Sequence, residues 1–315
     1  SYQNFELILV DDGSTDHSGA VCDYIVESIP EKCVVLHTIN QGPLLARQTG
    51  IRAATGDVLV FVDSDDCIRE DMLKSLADSF QATDCDMILF NASDKDDYSR
   101  TFCNCPFQHF ASVVDGEKKR IYYNMVYSEI PNAVCLKATK RHCFNEFPDF
   151  SGFSYVKNGE DLLMSLYMVT AAKKIVYLDE NLYYYRQHEG SIVHSYNPER
   201  ARSIKLVHQE LERFIDLWGM PELHPAHFTR EVNGWVETLL ILLANKKHLD
   251  PKAFRGNLIA MAEDDYFRRA YTAMDTEKLP GTHRILAKWL YQKRFFLLRA
   301  AGLFKTIKQR TKNHQ

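Results

Sequence analysis

Residues 5–16 read FELILVDDGSTD and residues 58–66 read VLVFVDSDD, and these two stretches decide the fold. Each opens on a continuous apolar run, 5–10 and 58–62, as strands buried on both faces of a mostly parallel sheet do. Each run ends in acids. Between them the sequence predicts a helix over 18–28, a strand over 34–38, and a helix over 43–54 that Pro43 opens and Gly56 stops. Alternating strands and helices of this kind form a doubly wound α/β unit, which a helix near 70–82 and a strand over 86–91 extend.

Further along, periodicity weakens from residue 94 to about 158, as in long loops around a cleft. A helix over 160–172, a strand over 175–178 and an aromatic segment over 182–188 follow. Beyond Pro198 the pattern is helical, with helices expected near 198–218, 226–246 and 283–309. The expected division is therefore 1–197, an α/β domain, and 198–315, a helical C-terminal region. The α/β part holds the chemistry.

Composition sets the outer limits. The 315 residues are 45% hydrophobic and 25% charged, which is ordinary for a globular protein and excludes collagen-like or disordered classes. The densest apolar run, Thr238–Ala244, is about a third of the ~20 residues a membrane span needs. The N-terminal residues lack the basic and small-residue pattern of a secretory signal, so export is not supported. The 8 cysteines show no paired C-x-x-C spacing and read as reduced, mostly core residues; Cys103 and Cys105 alone make a poor zinc signal.

The formal charge of −4 hides an asymmetry. The stretch from Arg284 to the C-terminus holds nine Lys or Arg and no acid, leaving the other 283 residues with 29 cations against 42 acids, a charge of −13. Apolar residues such as Trp289, Leu290, Phe295, Phe296 and Phe304 interleave with those cations as in a basic amphipathic helix. Residues 284–312 can therefore meet an anionic membrane face, or dock on the core with a solvated basic side.

In open α/β sheets ligands bind beyond the carboxyl ends of the strands, so acids placed there point into the crevice. One turn supplies Asp11, Asp12 and Asp16, the other Asp63, Asp65 and Asp66. Capping and turn chemistry accounts for one acid per turn, hardly for three. Clustered carboxylates repel one another unless a cation is present. Hard oxygen donors without convergent His or Cys suit Mg²⁺ or Mn²⁺ rather than Zn²⁺, and such ions commonly complete their shell with substrate phosphates. A nucleoside diphosphate is the expected partner, and no nucleic acid is.

Taken in order, VDDGSTD, NQGPLLARQTGIRAATGDVLVFVDSDD, GEDLLMSLYMV and AKKIVYLDENLYYYRQHEGSIV resemble the family 2 glycosyltransferases from residue 2 to about 194. Bacterial enzymes of capsule, exopolysaccharide and O-antigen synthesis are the nearest pattern. The resemblance implies a GT-A-like, Rossmann-like fold and inverting transfer from a nucleotide sugar, usually a UDP-sugar, to a glycan or lipid-linked acceptor. It implies donor contacts by Asp11, Asp12, Arg47, Asp63, Arg186 and His188. Asp65 with Asp63 would hold the metal through the D-x-D motif, and Asp66 would shape its turn. Asp161 matches the general base, with Glu160 as the alternative. A cytoplasmic location, peripheral on the inner face of the membrane, follows from the same likeness.

Family members begin with a further strand and helix, so the resemblance leads one to expect a first strand upstream of Ser1, and the chain to be a fragment of a longer protein. Other readings fit less of the sequence. A phosphoacceptor receiver domain shares the acid-tipped strands but is shorter and needs a strand-end Lys. A nucleotidyltransferase needs a Gly-rich phosphate loop. A catalytically impaired sugar-nucleotide binder or partner subunit draws support only from the expected missing strand.

Overall fold

The protein is described by a computed structural model. It describes residues 2–103, 112–114, 117–127, 132–186, 197 and 199–300. The chain divides into two compact units, Ser1–Glu189 and Gly190–Gln315.

In the first unit, β1 (Leu7–Asp12) crosses over through α1 (Ser18–Ser28) to β2 (Cys33–Thr38). The two strands pair in parallel, from Leu7 opposite Cys33 to Asp12 opposite Thr38. The helix α2 (Pro43–Ala53) starts on Pro43 and buries Leu44, Leu45 and Gln48. Next come β3 (Val58–Val60), β4 (Cys67–Ile68), α3 (Met72–Thr83) and β5 (Met87–Ser93). They are followed by β6 (Thr101–Cys103), β7 (Ser112–Val114), α4 (Lys119–Tyr127) and β8 (Lys137–Lys140). The unit closes with α5 (Glu160–Ala171) and β9 (Lys174–Tyr184).

The larger sheet runs β3-β8-β5-β9-β4, with β6 on β5 and β7 on β9. All of β5 is buried, as a strand must be when flanked on both edges and covered on its faces. The α3 residues Met72 and Leu76 pack with Ile88, Phe90, Val176, Leu178 and Leu182 in its core. Among the described residues, the second edges of β1 and β3 carry no strand.

The α/β architecture stands, but this sheet is mixed where the sequence predicts a mostly parallel one. Among the described residues, only β5 and β9 pair in parallel within it. The pairs β3–β8, β5–β8, β4–β9, β5–β6 and β7–β9 are antiparallel. The stretch expected to be loops, 94–158, supplies β6, β7 and β8, each too short to show a period in sequence. Likewise, the strand at 175–178 and the start of the aromatic segment, as far as Tyr184, form one continuous strand, β9.

The second unit is helical: α6 (Arg200–Leu217), α7 (His224–Ala244), α8 (Pro251–Glu263), α9 (Asp265–Ala273) and α10 (Gly281–Tyr291). Asp250 caps α8 by accepting from Lys252 and Ala253 N–H, and Asp264 caps α9 by accepting from Tyr266 and Phe267 N–H. Such caps contribute about 1 kcal/mol each. Val232, Trp235, Leu239, Leu258, Phe267 and Leu290 form the core of this unit.

The helix expected over 283–309 is interrupted after α10, where Lys293 takes a positive φ of 55°. Leu286, Ala287, Leu290 and Leu298 are buried in the core, while Ile285 and Phe296 are exposed. One face of the basic stretch is thus docked as far as residue 300; 301–315 lie outside the described residues. Among the described residues, no helix is long and apolar enough to cross a membrane.

Candidate active site

Arg47 lies one turn into α2, whose buried Leu44, Leu45 and Gln48 fix the helix against the sheet and leave Arg47 facing the strand ends. Its guanidinium gathers acids from two other elements. Nη2 donates to Asp63 Oδ1 at 3.0 Å, in the turn after β3. Nη1 stands 2.8 Å from Asp161 Oδ1 and 3.6 Å from Glu160 Oε1. The Asp161 approach is short in distance but poorly aligned, since neither atom has an aligned hydrogen-bond partner.

Glu160 and Asp161 open α5 behind Gly159, whose φ of 84° suits a residue without a Cβ. First-turn acids face the positive end of the helix dipole. Burial raises both carboxyls above their usual range; Asp161 adds repulsion at Glu160, and Arg47 opposes the rise at each. At Arg47 burial works against the charge, but Asp161, then Asp63 and Glu160, outweigh it and hold the guanidinium protonated. Asp161 is enclosed on most sides yet keeps 31% of its side chain exposed, so a small molecule can reach it.

The D-x-D turn is braced from behind by Tyr183, a fully buried residue of β9. The Tyr183 hydroxyl accepts the Asp63 backbone N–H at 3.0 Å and donates to Asp66 Oδ2 at 2.8 Å. Asp66 Oδ1 in turn accepts the Arg186 backbone N–H at 2.9 Å, and Arg186 Nε donates to the Asp65 carbonyl at 2.9 Å. Asp65 itself is exposed. The β4–β9 pairing, with Ile68 opposite Tyr183, holds this arrangement in register.

Asp11 and Asp12, at the end of β1, use their carboxylates locally. Asp11 accepts the Ser14 N–H at 3.0 Å and lies 2.9 Å from His37 Nδ1. The hydrogen bonds from Ser14 and then His37 hold its carboxyl down at about 2. Asp12 accepts the Gln41 and Gly42 N–H groups at 2.8 and 2.7 Å, shaping the entry to α2. His188 lies outside the described residues. The structure thus brings Arg47, Asp63, Glu160 and Asp161 together and sets Asp65 and Arg186 beside them. Asp11 is tied to its own turn and to His37 on β2, and Asp12 to the turn that enters α2.

Two residues that sequence reasoning passed over belong to this region. Tyr183 sits among three consecutive tyrosines that read as ordinary packing, and only its pairing with β4 singles it out. Lys137, buried on β8, donates to the Ala133 carbonyl at 2.8 Å and places positive charge near Asp161. Asp63, Asp65, Asp66, Glu160 and Asp161 still outnumber Arg47, Lys137 and Arg186. That surplus of hard oxygen donors, with Asp63 and Asp65 on one turn, fits a divalent cation such as Mg²⁺ or Mn²⁺.

The same helix also anchors a loop. Gln48 Nε2 donates to the Pro148 carbonyl at 2.8 Å, and its Oε1 accepts the Phe150 N–H at 3.1 Å. Arg52 pairs with Asp149 at 3.0 Å.

Residues 1–145 match the family described as glycosyl transferase family 2. The chain carries a family 2 glycosyl transferase domain. The match holds β1, α2, Asp63 and Asp65, and ends before the first turn of α5. Glycosyltransferase GlyG of Streptococcus pneumoniae is 33% identical over 205 residues, an alignment covering 61% of this chain and 64% of that protein. The putative glycosyltransferase EpsH of Bacillus subtilis is 29% identical over 221 residues, covering 67% of this chain and 61% of EpsH. The chain thus spans less than two thirds of the length of either relative. Among solved structures, residues 1–349 of Staphylococcus aureus TarS in complex with UDP-GlcNAc superpose with a TM-score of 0.59 at 21% identity, covering 97% of this chain and 83% of that one. At that identity the likeness establishes the GT-A fold of the family 2 domain and nothing finer.

Proposed function

We propose that the chain moves a sugar from a nucleoside diphosphate sugar, of the UDP class, to a glycan or lipid-linked acceptor hydroxyl with inversion at the anomeric carbon. The observation that carries this is the Arg47 cluster, in which one guanidinium sets Asp63 of the D-x-D turn beside Glu160 and Asp161. Donor-side and acceptor-side acids then flank one site, as a single in-line displacement requires.

In that displacement the acceptor oxygen bonds to the anomeric carbon as the bond to the diphosphate oxygen breaks on the opposite face. Asp161 takes the hydroxyl proton; its raised proton affinity brings it nearer to the operating pH, while Arg47 keeps enough of it ionised to act as a base. Glu160, less exposed than Asp161 and farther from Arg47, is the alternative acceptor. Arg47 fixes the carboxylates in orientation, and Arg186 lies on the D-x-D side, where charge builds on the leaving group. His188 joins it there by the sequence resemblance. Asp11 and Asp12 shape the nucleoside end of the pocket through the turns they hold. A divalent cation on Asp65 and Asp63 would supply positive charge to the diphosphate. We assign this chemistry to residues 1–197, on the cytoplasmic face of the membrane.

The test is UDP release across common nucleotide sugars, with and without Mn²⁺, comparing the chain with Asp161→Asn. Turnover should fall by about 10²–10⁴ in the variant, with UDP affinity changed less than twofold. Undiminished turnover in Asp161→Asn would refute the base assignment. UDP binding without turnover in the unaltered chain would establish a catalytically impaired sugar-nucleotide binder instead.

A further inference from the structure

The helical unit holds a polar cluster that sugar transfer does not use. His227 and Glu231 stand one turn apart on α7 and share a face, and His208 meets them from α6. All three are buried. The Nδ1 atoms of His208 and His227 are 3.5 Å apart, and His227 Nε2 lies 4.0 Å from Glu231 Oε2. One nitrogen or carboxylate oxygen from each of the three falls within 4.8 Å of the others. A tetrahedral shell with bonds of about 2.0–2.1 Å has edges of about 3.3 Å. Side-chain rotations that draw the atoms in by up to about 1.5 Å would therefore supply three of its four corners.

A second observation points the same way. Glu231 Oε1 accepts the Trp235 indole N–H at 3.3 Å, but Oε2 is buried without a hydrogen-bond partner. Leaving such an atom unsatisfied costs about 1–3 kcal/mol, and its presence in a core calls for an occupant. The surrounding charges are largely committed elsewhere: Arg269 pairs with Glu212, and Lys205 with Asp264 at 2.8 Å. Arg230, partly buried, lies close enough for its charge to act on both imidazoles.

We propose that His208, His227 and Glu231 bind one Zn²⁺ that ties α6 to α7. Two imidazoles and a carboxylate suit zinc better than Mg²⁺ or Ca²⁺. Deep burial makes the ion structural, not catalytic. The Tyr266 hydroxyl donates to Glu212 and lies 3.5 Å from His227 Nε2. The ion stands apart from the transferase reading, and either can fail without the other.

The test is metal content of the full chain after incubation with Zn²⁺ and desalting, followed by chelator competition. One zinc per chain should be retained, equally in the Asp63→Asn/Asp65→Asn double variant, and X-ray absorption should show only nitrogen and oxygen neighbours near 2.0–2.1 Å. Glu231→Gln and His208→Gln should each weaken zinc binding tenfold or more. The proposal is overturned if the folded chain retains no zinc, if both variants bind zinc as tightly as the parent, if zinc leaves with the double variant, or if sulfur neighbours appear near 2.3 Å. Should either single variant fail to fold, the stoichiometry and absorption spectrum of the parent chain decide alone.

Discussion

Arg47→Met removes the only charge that α2 presents to Asp63, Glu160 and Asp161 while keeping a side chain of similar length. Deleting one partner of a buried ion pair costs about 3–5 kcal/mol. Because Asp63 and Asp161 keep 38% and 31% of their side chains exposed, water recovers part of that, and about 2–3 kcal/mol is expected at pH 8. The sign of the pH dependence follows from burial, which already raises Glu160 and Asp161. Without the guanidinium they rise further, each added unit being worth about 1.4 kcal/mol. A raised carboxyl binds more protons folded than unfolded, so stability is kept at low pH and lost as pH climbs through the folded value. The penalty should therefore shrink to about 1 kcal/mol at pH 5. Trp218, Trp235 and Trp289 all lie in the helical unit, so their fluorescence would follow the wrong half of the molecule. Hydrogen exchange of α2 and α5 amides at pH 5 and 8, corrected for intrinsic rates, is the suitable assay. A variant equally protected at both pH values, or better protected at pH 8, would refute the reasoning.

Other outcomes follow from neighbouring contacts. Tyr183→Phe takes the hydroxyl from between the Asp63 N–H and Asp66, and should lower stability by about 1–3 kcal/mol in urea titration by circular dichroism; a loss under 0.3 would deny Tyr183 its bracing part. The Asp11 and His37 contacts predict opposite limbs of one pH profile. Asp11, held at about 2, contributes above its ordinary 3.8 and loses that contribution as pH falls toward 2. His37, raised by Asp11 and then Asp23, contributes below its ordinary 6.5 and loses it as pH rises through the folded value. NMR titration should place His37 above 6.5 in the chain and closer to it in Asp11→Asn; an unchanged midpoint would show that the 2.9 Å contact carries no energy.

The elements long enough to show a period were legible in the sequence. The predicted helices at 18–28, 43–54 and 160–172 correspond to α1, α2 and α5 within a residue or so. Breaks came where tertiary pairing decides: β8, four residues inserted between β3 and β5, carries no period of its own. The chemistry divided in the same way. Residue type and position at strand ends made Asp63 and Asp65 visible, and the likeness to the family drew in Arg47 and Asp161. Nothing in the sequence gave the distance at which a residue of α2 meets the first turn of α5, more than a hundred positions away. Turn chemistry, weighed as the plainer account of the first acidic stretch, describes what Asp11 and Asp12 do with their oxygens here. The buried histidines and Glu231 were hidden in an apolar helical pattern.

Gln48, the residue after Arg47 on α2, fastens residues 148–150 by main-chain bonds that read no side chain. Such a fastening tolerates drift at the exposed Asp149 between its two points of attachment, whereas Phe150 is also held by its buried ring. A library that varies Asp149 with Gln48 and Phe150 kept in place would therefore change the surface of this loop without releasing it from α2.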